Sequence, residues 1–178
     1  MGNNEVLKVE KSNWLPEDEK KIIQKQFFPQ GASVIEMQYC MKVAEKFNLN
    51  PILKQIYFVP RRTQVNGQWI DKVEPLAGRD SFLTLAHRSG KFAGIESKVE
   101  IKDTPVLKDG KWTRENDLVA TATVFRLDTD KPFIVSVNYR EYVQKTKQGQ
   151  PTKFWNDKPE TMLKKVAESQ ALRKAFDI

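Results

Sequence analysis

Apolar and polar positions follow two different periods along this chain, and the change of period divides it. Residues 16–28, PEDEKKIIQKQFF, place Ile22, Ile23 and Phe27 on one helical face, with Pro16 and three acids where a helix begins. Pro29 and Gly31 end that helix. Ser33 with Glu36 then reads as a capping box opening ASVIEMQYCMKVAEKFNL, in which Ile35, Tyr39, Cys40, Val43, Ala44 and Phe47 recur at helical spacing. Asn48 or Asn50, with Pro51, closes it. From Gln55 the period falls to two. IYFVP reads as a strand, and Asn66-Gly67 within QVNGQW predicts a two-residue hairpin turn. RDSFLTLAHRSG predicts a short helix capped by Asp80 or Ser81 and stopped by Gly90. FAGIESKVEIKD, DLVATATVFRL and PFIVSVNYREYV alternate as strands, the last two joined by a turn at 128–131. In the final strand Phe133, Val135, Val137 and Tyr139 share one face; Ser136, Asn138 and Arg140 share the other.

The chain closes on WNDKPETMLKKVAESQALRKAF, residues 155–176, read as one helix. At about 100° per residue it shows two apolar sides rather than one. Leu163, Val166, Ala167 and Ala171 form the first; Met162, Leu172 and Phe176 form the second. Two apolar sides call for two partners. The first is expected to pack on the subunit's own sheet and the second on a neighbouring subunit.

These elements predict an α+β fold in a single domain of 178 residues. Residues 1–15 read as loose, 16–49 as a helical preface, 50–143 as mainly antiparallel sheet with hairpins and one short helix, 144–154 as a basic loop, and 155–176 as the terminal helix. No run is long enough to cross a membrane and no secretory core follows the N-terminus, so a cytoplasmic protein is expected. Gly2 does not make a myristoylation site, because Val6 stands where Ser or Thr is needed.

Charge changes the picture more than composition does. The formal net charge of +7 makes an anionic partner worth seeking. Residues 140–178 hold nine Lys/Arg against five Asp/Glu, a net +4, whereas residues 1–30 balance at five each. QKTKQGQPTK, residues 144–153, carries Lys145, Lys147 and Lys153 with no acid among them. Basic and aromatic residues interleave in YFVPRR, NYREY and KFWNDK, a mixture suited to single strands, where phosphates take cations and unstacked bases take flat rings. Core packing is the competing role for Tyr57, Phe58 and Tyr139, and Trp155 either packs the helix start or offers a stacking surface.

Catalytic chemistry has little to stand on. With one histidine, His87, and one cysteine, Cys40, no zinc site of the usual nitrogen–sulfur type can be assembled. Neither phosphate-binding glycine motif is present. Asp80 followed by Glu100-Ile101-Lys102 matches the acid and lysine spacing of Mg²⁺-dependent nucleases, yet Glu96, Lys98, Glu100 and Lys102 also fit the wet side of an amphipathic strand. A Mg²⁺-dependent nuclease, and a basic RNA- or DNA-interaction module without annealing activity, stand as the alternatives.

Three stretches carry a resemblance. NLNPILKQIYFVP, GRDSFLTLAHRSGKFAG and the terminal W-x-x-x-P-x-x-M-L-K-K-x-A-x-x-Q-A-x-R-x-A-F together resemble the RecT/Redβ (phage lambda Bet) single-strand DNA annealing proteins, over roughly residues 20–178. The resemblance implies an α+β core distantly like that of Rad52, assembling into rings or filaments that anneal complementary strands without ATP. It implies no required cofactor, Mg²⁺ acting at most on DNA binding. It sets Arg173 on an arginine of the terminal motif, Lys164 and Lys165 on its basic step, and Arg61 and Arg62 on the basic residues after the strand. Glu160 stands where relatives can carry a basic residue. With Arg140, Lys145, Lys147, Lys153 and Trp155, these residues form the expected DNA path, and Met162, Leu172 and Phe176 the expected oligomer contact. The implied partners are single-stranded DNA, the annealed duplex and further copies of the chain. In the family an exonuclease and a host single-strand-binding protein engage a tail beyond the terminal helix, where this chain stops at Ile178.

Overall fold

The computed structural model describes residues 14–178; the stretch expected to be loose falls almost wholly outside them. The fold is α+β, with antiparallel sheets and helices toward both ends. It forms two compact units, one ending at Ala77 and one running from Gly78 to Ile178, where the sequence suggests a single domain. Hydrogen bonding explains the division. The strands make two separate sheets, and no strand of the first pairs with a strand of the second.

In the first unit, helix α1 (Glu17–Gln26) and helix α2 (Val34–Lys46) precede a hairpin of β1 (Tyr57–Val65) and β2 (Gln68–Leu76). The capping box is present: the Ser33 hydroxyl accepts from the Glu36 amide, and the Ser33 amide donates to the Glu36 carboxylate at 2.9 Å. The other Glu36 oxygen accepts from the Val73 amide of β2 at 2.8 Å, which ties helix to hairpin. Hydrogen bonds from the Ser33 hydroxyl, then from the Ser33 and Val73 amides, hold the Glu36 pKa down to about 2. Between helix and hairpin, Asn50 makes a turn on itself. Its side chain accepts from the Ile52 amide at 2.8 Å, burying Leu49 and Pro51. The face of α2 is turned from the expected one. Cys40 and Ala44 are buried, while Ile35 is 77% exposed and Tyr39 and Phe47 also stand in solvent.

The second unit is a three-stranded antiparallel sheet backed by helices. Helix α3 (Arg79–Arg88) begins one residue before the expected caps, with Gly78 as its N-cap donating its amide to the Ser81 hydroxyl. Strands β3 (Phe92–Lys108), β4 (Lys111–Arg126) and β5 (Phe133–Asn138) follow in spatial order. β3 and β4 are joined by Asp109-Gly110, both at positive φ, a tight turn missed in the expected strands, which end at Asp103 and resume at Asp117. β5 covers β4 only over Val119–Val124, so the outer half of the β3–β4 hairpin is a two-stranded arm. The last strand stops at Asn138, and Tyr139–Tyr142 turns into the short helix α4 instead of extending it.

The terminal helix is interrupted. Lys153–Asp157 forms α5, Lys158 leaves the helical region at φ −138°, and α6 runs Pro159–Phe176. Pro159 has no amide hydrogen to donate and excludes the helical conformation in the residue before it, but it suits the first turn of a new helix. Ala120, Ala122 and Val124 of β4 meet Leu163, Ala167 and Ala171 of α6 in one core. At the far end, Arg126 donates to the Ala175 carbonyl and to both Asp128 oxygens, which satisfies the last turn of α6.

Candidate nucleic-acid interface

Of the second apolar side of α6, Leu172 is taken up inside the unit, which corrects its place in the expected oligomer contact, while Met162 and Phe176 stay partly exposed. Leu172 has no solvent-exposed surface. It belongs to the same core as Ala86 of α3, so it cannot meet a neighbour. Phe176 rests on Phe92, with ring centroids 6.2 Å apart, and under the Arg126 guanidinium at 5.2 Å; Met162 packs against the core's edge. α6 is a two-sided helix because it fills the space between the sheet and α3.

Trp155 is corrected as well. It is 2% exposed, its ring set edge-on to Tyr139 at 5.7 Å, and its carbonyl accepts from the Tyr139 hydroxyl at 3.1 Å. It serves as the peg that locks α5 to α4, not as an open stacking surface. Arg140 is likewise committed inward. Its Nε lies 3.4 Å from an Asp117 oxygen that also accepts from its own amide.

The loop between these two pegs is the basic segment. It is not irregular: Lys145 and Pro151 form an antiparallel bridge, the Thr146 amide donates to the Gln150 carbonyl at 2.7 Å, and Gly149 turns the tip at φ +81°. Lys145, Lys147 and Lys153 are exposed and, among the described residues, enter no ion pair. Their charge is therefore uncompensated, presented on an ordered turn whose ends are pinned by buried aromatic packing.

The remaining cations divide by environment. Lys165 is exposed, Lys164 half-buried. Arg173 lies over the Phe82 ring at 5.8 Å and donates from Nε to the Ile178 carbonyl at 3.2 Å, bracing the end of α6. In the first unit, Arg61 and Arg62 are strand neighbours and so point to opposite faces. Arg61 approaches Glu74 at 3.6 Å. Arg62 lies over Trp69 at 5.9 Å, and Trp69 is 61% exposed. Trp69 is the residue the sequence reading passed over. Its signal was position, two residues past the Gly67 turn and diagonal to Arg62 across the hairpin.

The nuclease spacing does not survive folding. Ser97 donates to Glu168 of α6 at 2.6 Å, which fixes the odd positions of β3 toward the helices and Glu100 toward the opposite face. Asp80 lies on α3, which shares the helix side through the Arg79–Glu168 pair at 3.1 Å. Glu100 is held between Lys102 and Lys98, whose hydrogen bonds keep its carboxyl below the usual range. Among the described residues no three His, Cys, Asp or Glu side chains cluster as metal ligands would, and no helix is long and apolar enough to cross a membrane.

Exposed lysines on a pinned turn, on an α+β scaffold, make a surface suited to a flexible polyanion. The chain belongs to the RecT family, whose model matches residues 13–178. No curated protein matches it. RecT family proteins are annealing proteins and are not known as enzymes, and membership implies phage-type single-strand annealing in recombination.

Proposed function

We propose that the protein binds single-stranded DNA through the Lys145, Lys147 and Lys153 turn and the Arg62–Trp69 hairpin, and anneals complementary strands without ATP. The observation that carries this is the lysine turn, uncompensated by acids and rigidly held. Cations there neutralise phosphates, and base pairing between strands supplies all sequence specificity. The family's self-association supports assembly as a ring or filament around a Rad52-like core. With Leu172 buried within the subunit, Leu107 and Trp112 on the β3–β4 arm, Trp112 being 72% exposed, offer the more open apolar surface to a neighbouring copy.

The test is strand annealing with nucleotide absent and Mg²⁺ chelated, at several salt concentrations. Annealing proceeds, and log affinity falls against log salt by about 0.7 for each phosphate neutralised. Complete dependence on ATP hydrolysis, a salt slope near zero, or shortening of the strands on adding Mg²⁺ would each overturn the reading.

A further inference from the structure

Beside the lysine turn the second unit carries a cavity of about 400 Å³, within the range of about 300–1,000 Å³ usual for small-molecule sites. Its apolar walls are Ile101 and Leu118 of the hairpin and Pro159 at the start of α6. Tyr139 and Trp155 form an aromatic corner, already locked by the hydroxyl–carbonyl bond between them. Three polar groups complete the lining: Asn116, Asp117 and Asn156. Asp117 is spent, accepting from the Leu118 and Arg140 amides and pairing with the Arg140 guanidinium. The Asn116 amide engages no protein group among the described residues, and the Asn156 amide meets only Asp157, at 3.1 Å. The Trp155 Nε1 donor is buried without a partner.

We infer that this cavity receives one unstacked nucleobase of the bound strand. The chemistry matches in three respects. The half-buried Tyr139 ring and the Ile101, Leu118 and Pro159 surfaces accept a flat heterocycle of any sequence, with the buried Trp155 behind Tyr139 fixing its ring. Asparagine amides offer a donor and an acceptor each to a base edge. The cations needed for the flanking phosphates stand on the loop that joins α4 to α5 and at the first residue of α5, and Tyr139 and Trp155, one from each of those helices, form the cavity's corner. An apolar side chain from a neighbouring copy would satisfy the walls but leave both amides without a role. This inference rests on the single-strand-binding reading.

The experiment compares a normal oligonucleotide with an abasic strand of equal length, on the full chain and two variants. The wild type prefers the base-bearing strand by roughly 5- to 100-fold, the size of base–aromatic contacts. Asn116→Ala with Asn156→Ala, both exposed positions, cuts that preference several-fold and leaves abasic affinity and melting temperature unchanged. Ile101→Lys, also exposed, cuts the preference too by filling the mouth, while its added charge raises affinity for both strands alike, which guards against loss of the amides being masked by stacking. Triple replacement of Lys145, Lys147 and Lys153 by Ala instead weakens both strands equally. An unchanged preference in both cavity variants overturns the base site, as does a variant that lowers oligomer mass without altering preference, since the cavity then seats a protein side chain. If the wild type binds neither strand, the failure lies with the single-strand-binding reading itself. In a positive result, ultraviolet cross-linking of a 5-iodouracil strand labels the segment 139–156.

Discussion

The two long hairpins are built around the same device and anchored in different ways. Each turns on a pair at positive φ, Asn66-Gly67 in one and Asp109-Gly110 in the other, and each carries an exposed tryptophan near its tip. The first is a two-stranded sheet by itself, a form of marginal stability in water. It is held at its base by the Glu36 carboxylate on Val73, by Cys40, and by the stacked rings of Phe28 and Phe58 at 4.4 Å. The second is rooted in a three-stranded sheet with α6 packed beneath. Charge divides them as well. Arg114–Asp103, Lys102–Glu100 and Lys108–Glu115 pair three of the arm's cations, whereas Arg62, opposite Asp71 in the register, enters no ion pair among the described residues and lies over Trp69. Similar hairpins therefore expose different surfaces, a guanidinium over a ring on one and an apolar Leu107–Trp112 pair on the other.

The largest effect should come from removing the second hairpin's root. Leu163→Ala, at a side chain fully buried against β4, is expected to destabilise its unit by about 2–5 kcal/mol. Thermal melting and hydrogen exchange would show β3–β5 losing protection while β1 and β2 keep theirs; equal loss in both would erase the distinction between the anchors.

Acid should do the reverse. The Glu36 pKa is lowered in the fold from 4.5 to about 2, so the carboxylate's stabilisation is full above the unfolded value and fades as pH drops toward the folded one. Exchange protection of β1 and β2 is expected to fall between about pH 5 and pH 2. Glu36→Gln should flatten that dependence, and a wild-type profile as flat as the variant's would show that the carboxylate is not the anchor.

Smaller again is the turn itself. Gly67→Ala and Gly110→Ala place a Cβ at φ +81° and +74°, where nothing crowds it but the backbone disfavours it, at about 1–2 kcal/mol each. The first should fray its hairpin more, having less behind it, as hydrogen exchange at the turn would report.

The tryptophans should barely change stability, by about 0.5 kcal/mol or less, yet they separate the two surfaces. Trp69→Ala should weaken single-strand binding several-fold at constant oligomer mass. Trp112→Ala should lower oligomer mass and leave the affinity of the dilute protein for a short strand alone. Sedimentation and fluorescence anisotropy on both variants would settle it, and an exchange of the two outcomes would invert the assignment.

Most of the elements were legible because their signals are local. Ser33 and Glu36, Asn66-Gly67 and the alternation of 117–127 each act within a few residues, and each appears where local chemistry puts it. What was not legible depends on which bodies meet. Nothing in α2's own periodicity says that Cys40 and Ala44, rather than Ile35 and Tyr39, face the hairpin. The second apolar side of α6 looked free because α3, some ninety residues earlier, had no visible claim on it. Trp155 reads as open beside Lys153, but its burial depends on Tyr139, across the lysine turn. The lysines themselves were readable, since a run of cations without acids stays in water under any packing.

The contact between α6 and β4 is lined by alanines: Ala120 and Ala122 on the strand, and Ala167, Ala171 and Ala175 on the helix. Each is 2% exposed or less. Side chains this short bring the two backbones close and leave no flexible atoms to rearrange around an intruder. In a comprehensive mutational scan the seam should thus be asymmetric, tolerating glycine on the strand better than valine or leucine on either side. At these alanine positions, unlike Leu163 beside them, the ordinary core rule in which losing volume does the damage would be reversed.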